Sequence, residues 1–170
     1  GSNLVELLLG KSLSVKVIDN FSTGKWDNLR SLQKKFSDRL QIIKGDIRNL
    51  PFLEKEFLGS QGIFHLAAIP SVQQSVNDPL TCHDANITGT LNVLLAARNQ
   101  GVPRVVFASS CAIYGDSPEL PKQEGMPSHP LSPYAVHKAT GEQYARLFYT
   151  LYGLETYCLR FFNVFGPQQD

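Results

Sequence analysis

The sequence predicts an α/β fold, a doubly wound parallel sheet, and three observations predict it. Short β-branched runs alternate with helical patterns along all 170 residues. The runs are more continuously apolar than alternating, as strands are when helices cover both faces of a parallel sheet. Composition is that of an ordinary globular chain, 42% hydrophobic, with 16 Lys and Arg against 15 Asp and Glu. A chain of this length builds one real core, so a single domain over residues 1–170 is expected. The near-neutral charge leaves no electrostatic footprint for nucleic acid or an anionic membrane. No apolar run reaches the roughly 18 residues of a membrane span, and no signal peptide opens the chain. Cys82, Cys111 and Cys158 are odd in number and scattered. They fit a reducing cytoplasm and neither a disulfide framework nor a metal site.

The elements follow in order. A helical pattern at 3–9 precedes the strand "LSVKVID" (13–19), and a second at 26–36 precedes "LQIIKGD" (40–46). A helix at 50–58 leads to "GIFHLAA" (62–68), and a long one at 79–100 leads to "RVVFASS" (104–110). The last helix, 133–152, leads to "LETYCLRFF" (154–162). Asp78-Pro79 and Ser132-Pro133 each offer an N-cap followed by proline at the first helical position. Both ends read as cut: a helix opens the chain without a strand before it, and "NVFGPQQD" closes it without a further element. Gly1-Ser2 reads either as a cloning remnant or as the last glycine of a dinucleotide-binding turn.

In doubly wound sheets ligands bind beyond the carboxyl ends of the strands, so the residues there carry the chemistry. Asp19 ends the first strand and can accept from both ribose hydroxyls of NAD; alternatively it is a turn or capping aspartate. Asp46, in "GDIRN", can fix an adenine amino group or cap the next helix. Ala67 and Ala68, in "HLAAIPSV", allow close approach of a cofactor or of a packed helix. His65 reads as a satisfied strand-end histidine, and with only four dispersed histidines no metal centre is expected. Ser109 and Ser110 end "FASSCAIYG" at the sheet's carboxyl edge, where a hydroxyl can meet a reacting alcohol or carbonyl.

The stretch "SPYAVHK" sets Tyr134 and Lys138 four apart on one helical face behind Ser132 and Pro133. A free tyrosine, with a pKa of about 10, is a poor base at neutral pH. An ammonium about 5 Å away, at an effective dielectric near 20, favours the phenolate by roughly 3 kcal/mol, or about 2 pKa units. A bound nicotinamide cation would pull in the same direction against the cost of desolvation. The bland alternative is an exposed helix pair; the strand-end serine upstream is what sets this pair apart.

With these residues in view, the chain resembles the extended short-chain dehydrogenase/reductase family, within it the NAD-dependent sugar-nucleotide epimerases and dehydratases. It is most similar to the 4-epimerases acting on UDP-glucose or UDP-N-acetylglucosamine. The resemblance rests on "GSNLVELLL", "VIDNFSTGKWDNL", "GDIRN", "FHLAAIPSVQQSVNDP", "NITGTLNVLLAA", "ASSCAIYGDSPELPKQE", "SPYAVHKATGE" and "LRFFNVFGPQQD". It implies a Rossmann-like domain lacking its first strand and its C-terminal substrate lobe, NAD as cofactor, a UDP-sugar substrate, and no activity for this piece alone. It implies that Tyr134 is the catalytic base, that Lys138 lowers its pKa and holds the nicotinamide ribose, and that Ser110 bonds the sugar's 4-oxygen, Ser109 being the lesser candidate. Gly1 would belong to the glycine turn. Asp19, Asn20, Phe21, Ser22, Thr23 and Gly24 would surround the adenosine ribose, with Asp46 and Ile47 flanking adenine. Ala67, Ala68 and Ile69 would line the cofactor, Phe162 would lie beside the nicotinamide, and Asn86 would sit beneath the site. Ser71 and Asn163 would contact the sugar nucleotide.

The implied reaction oxidises the sugar at C4, lets the 4-keto sugar turn over and reduces it on its other face. Relatives that dehydrate or decarboxylate carry acidic residues just after the serine, where this chain has Cys111 and Ala112. A dehydratase or reductase of the same family, and an NAD-binding sensor without chemistry, are the competing readings. A homodimer through helices 79–100 and 133–152 is implied as well, with Leu94, Leu95, Leu147, Leu151 and Tyr152 among their apolar residues.

Overall fold

A computed structural model describes residues 1–168; Gln169 and Asp170, which close the motif "LRFFNVFGPQQD", lie outside the described residues. All five expected strands form, and every pairing is parallel, in one sheet of two strands and one of three. The chain divides into two compact units, Gly1–Asp46 with the segment from Val164, and Ile47–Asn163.

In the first unit, α1 (Ser2–Gly10) leads to β1 (Val15–Asp19), and α2 (Asp27–Lys35) crosses to β2 (Leu40–Lys44). The strands pair in register from Val15 with Leu40 to Asp19 with Lys44. Helical spacing puts Val5 and Leu9 of α1 and Leu29 and Leu32 of α2 on inward faces, buried with Leu40. Val15, Val17 and Ile42 pack against this cluster, so the sheet is held by the apolar strand runs the sequence displays.

The second unit carries α3 (Leu50–Phe57), β3 (Ile63–His65), α4 (Val72–Asn77), α5 (Pro79–His83) and α6 (Gly89–Asn99), with a wide π turn (Asp84–Thr88) between the last two. Then come β4 (Arg104–Ser110), a 3-10 turn (Cys111–Tyr114), α7 (Pro133–Tyr152) and β5 (Glu155–Phe161). The sheet order is β3-β4-β5, with Phe107 paired to both His65 and Cys158. Capping sets the helix starts: Asp78 accepts from the Thr81 amide and Ser132 from the Ala135 amide, as their Asp-Pro and Ser-Pro contexts predict. Asn49, not Asp46, caps α3.

Four expectations need correction. Residues 79–100 are not one regular helix, because the backbone opens at Asp84–Thr88. There the Asn86 amide turns to bond the Ile69 backbone. Helix α4 was not expected; Ser71 caps it at the Gln74 amide. Leu94 is buried at 1% exposure and belongs to the core, so it faces no partner. Among the described residues, the helices of the second unit lie over one face of its sheet. Helices α6 and α7 lie over the His65, Phe107 and Cys158 side, where Thr90 bonds His65 and Thr156 bonds the Ala145 carbonyl. The opposite face leaves Phe64, Tyr157, Leu159 and Phe161 exposed.

Candidate active site

The carboxyl end of β4 is where α7 begins, and the second unit brings Ser110, Tyr134 and Lys138 together there. Ser110 is the last residue of the strand, and its hydroxyl caps the following turn by accepting from the Ala112 amide at 3.1 Å. The same side chain lies near enough to the Tyr134 phenol to favour its phenolate. Four residues along α7, Lys138 is buried and donates from Nζ to the Ala108 carbonyl at 2.8 Å. Its nitrogen lies 5.0 Å from the Phe107 ring centre and 5.7 Å from that of Tyr134.

The reach of α7 to the strand depends on a small residue. A Cβ on Gly141 would stand 2.5 Å from the Phe107 ring, closer than real side chains come. Glycine at that position lets the helix lie directly on β4.

Burial governs the electrostatics. It pushes the Tyr134 phenol above its ordinary value; the nearby Ser110 hydroxyl opposes the rise, and a charge on Cys111 would add to it. Desolvation is the largest of these influences, and the Lys138 amine donates to the Ala108 carbonyl. Lys138 itself is lowered to about 8 by burial, so it stays mostly protonated at neutral pH.

Buried polar groups hold this site from below. His65, fully enclosed, is lowered to about 3 by burial and by Lys138, and is neutral. Thr90 gives its hydroxyl proton to the Asn86 carbonyl at 2.7 Å, so it accepts from His65 Nε2–H at 2.8 Å. That fixes the ring's tautomer. Asn86 accepts from the Ile69 amide at 2.8 Å and donates to the Ile69 carbonyl at 3.0 Å, pinning the loop after β3. Its place beneath the site is thus a framework role. Ser109 points the other way from Ser110, donating to Glu142 at 2.5 Å. Glu142 also pairs with Arg160 at 2.8 Å, and Arg160 reaches the Tyr114 hydroxyl and the Glu124 carbonyl. Ser109 is therefore committed to a buried network and is not a site hydroxyl.

Two features escaped the sequence reading. Ser75, completely buried on α4, accepts from the Tyr134 amide at 3.0 Å and donates to the Val72 carbonyl at 2.7 Å. The Glu142–Arg160 pair binds α7 to β5 behind the site. The N-cap serine Ser71 at the head of "SVQQSVND" is the one local signal for α4.

The other candidates fall in their separate units. In the first, Asp19 ends β1 and its Oδ1 accepts from the Phe21 amide at 2.8 Å, so it is a turn former as well as a strand-end acid. Phe21 takes a left-handed backbone (φ 57°), and its ring centre lies 5.0 Å from that of Trp26 in a tilted pair. Asn20 accepts from the Ser22 amide and donates to Asp46 at 3.4 Å. A Cβ on Gly24 would lie 2.9 Å from Asp19 Oδ2, so glycine lets the backbone pack closely beside the carboxylate. Ser22 and Thr23 are exposed, and Gly1 immediately precedes α1. In the second unit Ala67 is exposed and Ala68 and Ile69 are half-buried, so the two alanines are not consumed by close helix packing. Ile47 is wedged against Gly89. Ser71 commits a lone pair to the Gln74 amide but keeps an exposed hydroxyl proton. Phe162 and Asn163 leave β5 exposed, next along the edge from Ser110, which pairs with Phe161. Among the described residues no cluster of three His, Cys, Asp or Glu side chains is placed to hold a metal, and no helix is long and apolar enough to cross a membrane.

Comparison with known proteins covers the whole chain. The NAD dependent epimerase/dehydratase family matches residues 1–170. The UDP-N-acetylglucosamine 4-epimerase of Methanobrevibacter ruminantium M1, solved with UDP-N-acetylmuramic acid, is 41% identical with a TM-score of 0.93 over 100% of this chain and 53% of that one. The UDP-glucose 4-epimerase of Thermus thermophilus, solved with NAD, is 40% identical with a TM-score of 0.91, over 100% of this chain and 54% of that one. A double mutant of the dTDP-glucose 4,6-dehydratase DesIV of Streptomyces venezuelae, also with NAD, is 33% identical with a TM-score of 0.93, over 99% and 54%. The chain spans about half the length of the curated relatives it matches, 54% of each of the first two.

Proposed function

The chain belongs to the NAD-dependent epimerase/dehydratase family, and from that premise we propose that the whole protein is a UDP-hexose 4-epimerase working through a transient 4-keto sugar. The observation that carries the reading is the convergence of Ser110, Tyr134 and Lys138 at the end of β4, with the Lys138 amine 5.7 Å from the Tyr134 ring centre. NAD, when bound, takes up the hydride from C4 and gives it back. Asp19, with Gly24 close beside it, suits the adenosine ribose, and Asn20, Phe21, Ser22, Thr23, Asp46 and Ile47 its surroundings. Ala67, Ala68, Ile69 and Phe162 suit the remainder of the dinucleotide.

Ser110 bonds the sugar's 4-oxygen and so aims its proton at the phenol. Tyr134 as phenolate takes that proton while the C4 hydride departs, leaving a ketone. After the ketone has turned over, Tyr134–OH returns the proton to the oxygen as hydride arrives on the opposite face. Every atom lost in the first half is regained in the second. Burial raises the cost of the phenolate, so Lys138, still protonated at neutral pH, supplies the compensating charge. Ser71 and Asn163 suit contacts to the sugar nucleotide.

A dehydratase needs a carboxyl group to expel water, and the turn after Ser110 offers Cys111 and Ala112 instead. We further propose that Leu147, Leu151 and Tyr152, all about half exposed or more on α7, form the seam of a homodimer. A cytoplasmic location accords with three cysteines that form no disulfide. The test is product analysis of the full-length protein with UDP-glucose and with UDP-N-acetylglucosamine. Interconversion of 4-epimers without net NADH is expected. Stoichiometric NADH or a 4-keto-6-deoxy product would overturn the proposal.

A further inference from the structure

Helix α7 opens with Pro133, which has no amide proton, so the first backbone donor left over is that of Tyr134 itself. Ser132 satisfies the next two, its hydroxyl accepting from Ala135 and its carbonyl from Val136. The Tyr134 amide is met from another element, by Ser75 Oγ at 3.0 Å. Ser75 is 0% exposed, and its own proton is fixed on the Val72 carbonyl at 2.7 Å, so its lone pairs face α7. Tyr134 is thus held at its backbone by Ser75, while Ser110 acts on its phenol. Ser71, which begins α4, lies one helical turn before Ser75.

We propose that Ser75 is a positioning residue for Tyr134, and that α4 ties the place of the reactive phenol to the segment that carries Ser71. The inference rests on the reading of Tyr134 as the base. A serine serving only stability would tie two helices together anywhere along their length. This one grips the single residue whose hydroxyl must meet Ser110, at the frayable start of its helix.

The test uses the full-length protein with Ser75→Ala and with the near-isosteric Ser75→Cys, which keeps the volume but loses the strong acceptor. Hydrogen exchange at the Tyr134 amide, read without any turnover, is expected to speed up about ten-fold or more while the middle of α7 holds. With the phenol less firmly set, kcat is expected to fall about ten- to a hundred-fold with little change in KM. The acid limb of the kcat–pH profile moves to higher pH, because Ser110, which favours the phenolate, then acts on it less. A lower melting temperature with kcat and the acid limb unmoved makes Ser75 merely structural and overturns the proposal. Unchanged exchange at Tyr134 in both variants overturns it as well. Full turnover in Tyr134→Phe would instead sink the base reading beneath it, recognisable because the amide would still respond to Ser75.

Discussion

Tyr134 stands under opposing influences: enclosure favours its neutral phenol, and the Ser110 hydroxyl favours its phenolate. Because the base form is the deprotonated one, activity limited by this group rises with pH through its pKa. Ser110→Ala removes the influence that lowers that pKa, so the acid limb of kcat in the full-length protein should move to higher pH. It should also lower kcat by about ten- to a thousand-fold as the sugar oxygen loses its partner. An acid limb that stays in place would mean that the two side chains do not act on one another. The trio itself was legible in the sequence. Tyr134 and Lys138 lie one turn apart behind a Ser-Pro start, and Ser110 ends an apolar run, all of which are local patterns. The sign of the phenol's shift was not, since it depends on how deeply Tyr134 and Lys138 are enclosed. Nor was Ser75, whose hydrogen bond to Tyr134 joins residues 59 apart in the chain.

At the scale of elements, α7 does its work by lying flat on β4, and Gly141 over Phe107 is what permits it. Gly141→Ala would drive a methyl into the ring and lift the helix. A loss of about 1–3 kcal/mol is expected, read as a lower melting temperature, together with reduced turnover as Lys138 withdraws from Ala108. Full stability in this variant would show that the helix has slack the close contact denies. The long helices were predictable where Asp78-Pro79 and Ser132-Pro133 announce them. The π turn at Asp84–Thr88 was not, because Asn86 opens toward Ile69, 17 residues back in the chain. Helix α4 has only six residues, too few for an apolar period to stand out.

Over the whole molecule, the buried bases make stability depend on pH with a definite sign. His65 titrates near 3 in the fold against 6.5 when free. Between those values the unfolded chain binds the extra proton, so stability is present above about 6.5 and drains away as pH falls toward 3. Lys138, near 8 in the fold against 10.5, acts in the same direction higher up: the cost of enclosing its charge is full below 8 and relieved as pH rises toward 10.5. His65→Gln, which can still donate to Thr90, should flatten the acid loss seen in denaturant melts between pH 6.5 and 3; an unaltered slope would place the loss elsewhere. The α/β class and the parallel strands were readable because Val, Ile and Phe runs alternate with capped helices. The pairing into sheets of two and three strands, and the exposed Phe64, Tyr157 and Leu159 face, depend on which elements meet, which periodicity does not encode. On the proposed function, one phenol moves the substrate's proton. The most direct measurement is turnover of UDP-glucose by full-length Tyr134→Phe that still binds NAD: a fall of about a hundred- to ten-thousand-fold is predicted, and turnover equal to that of the unaltered protein would contradict it.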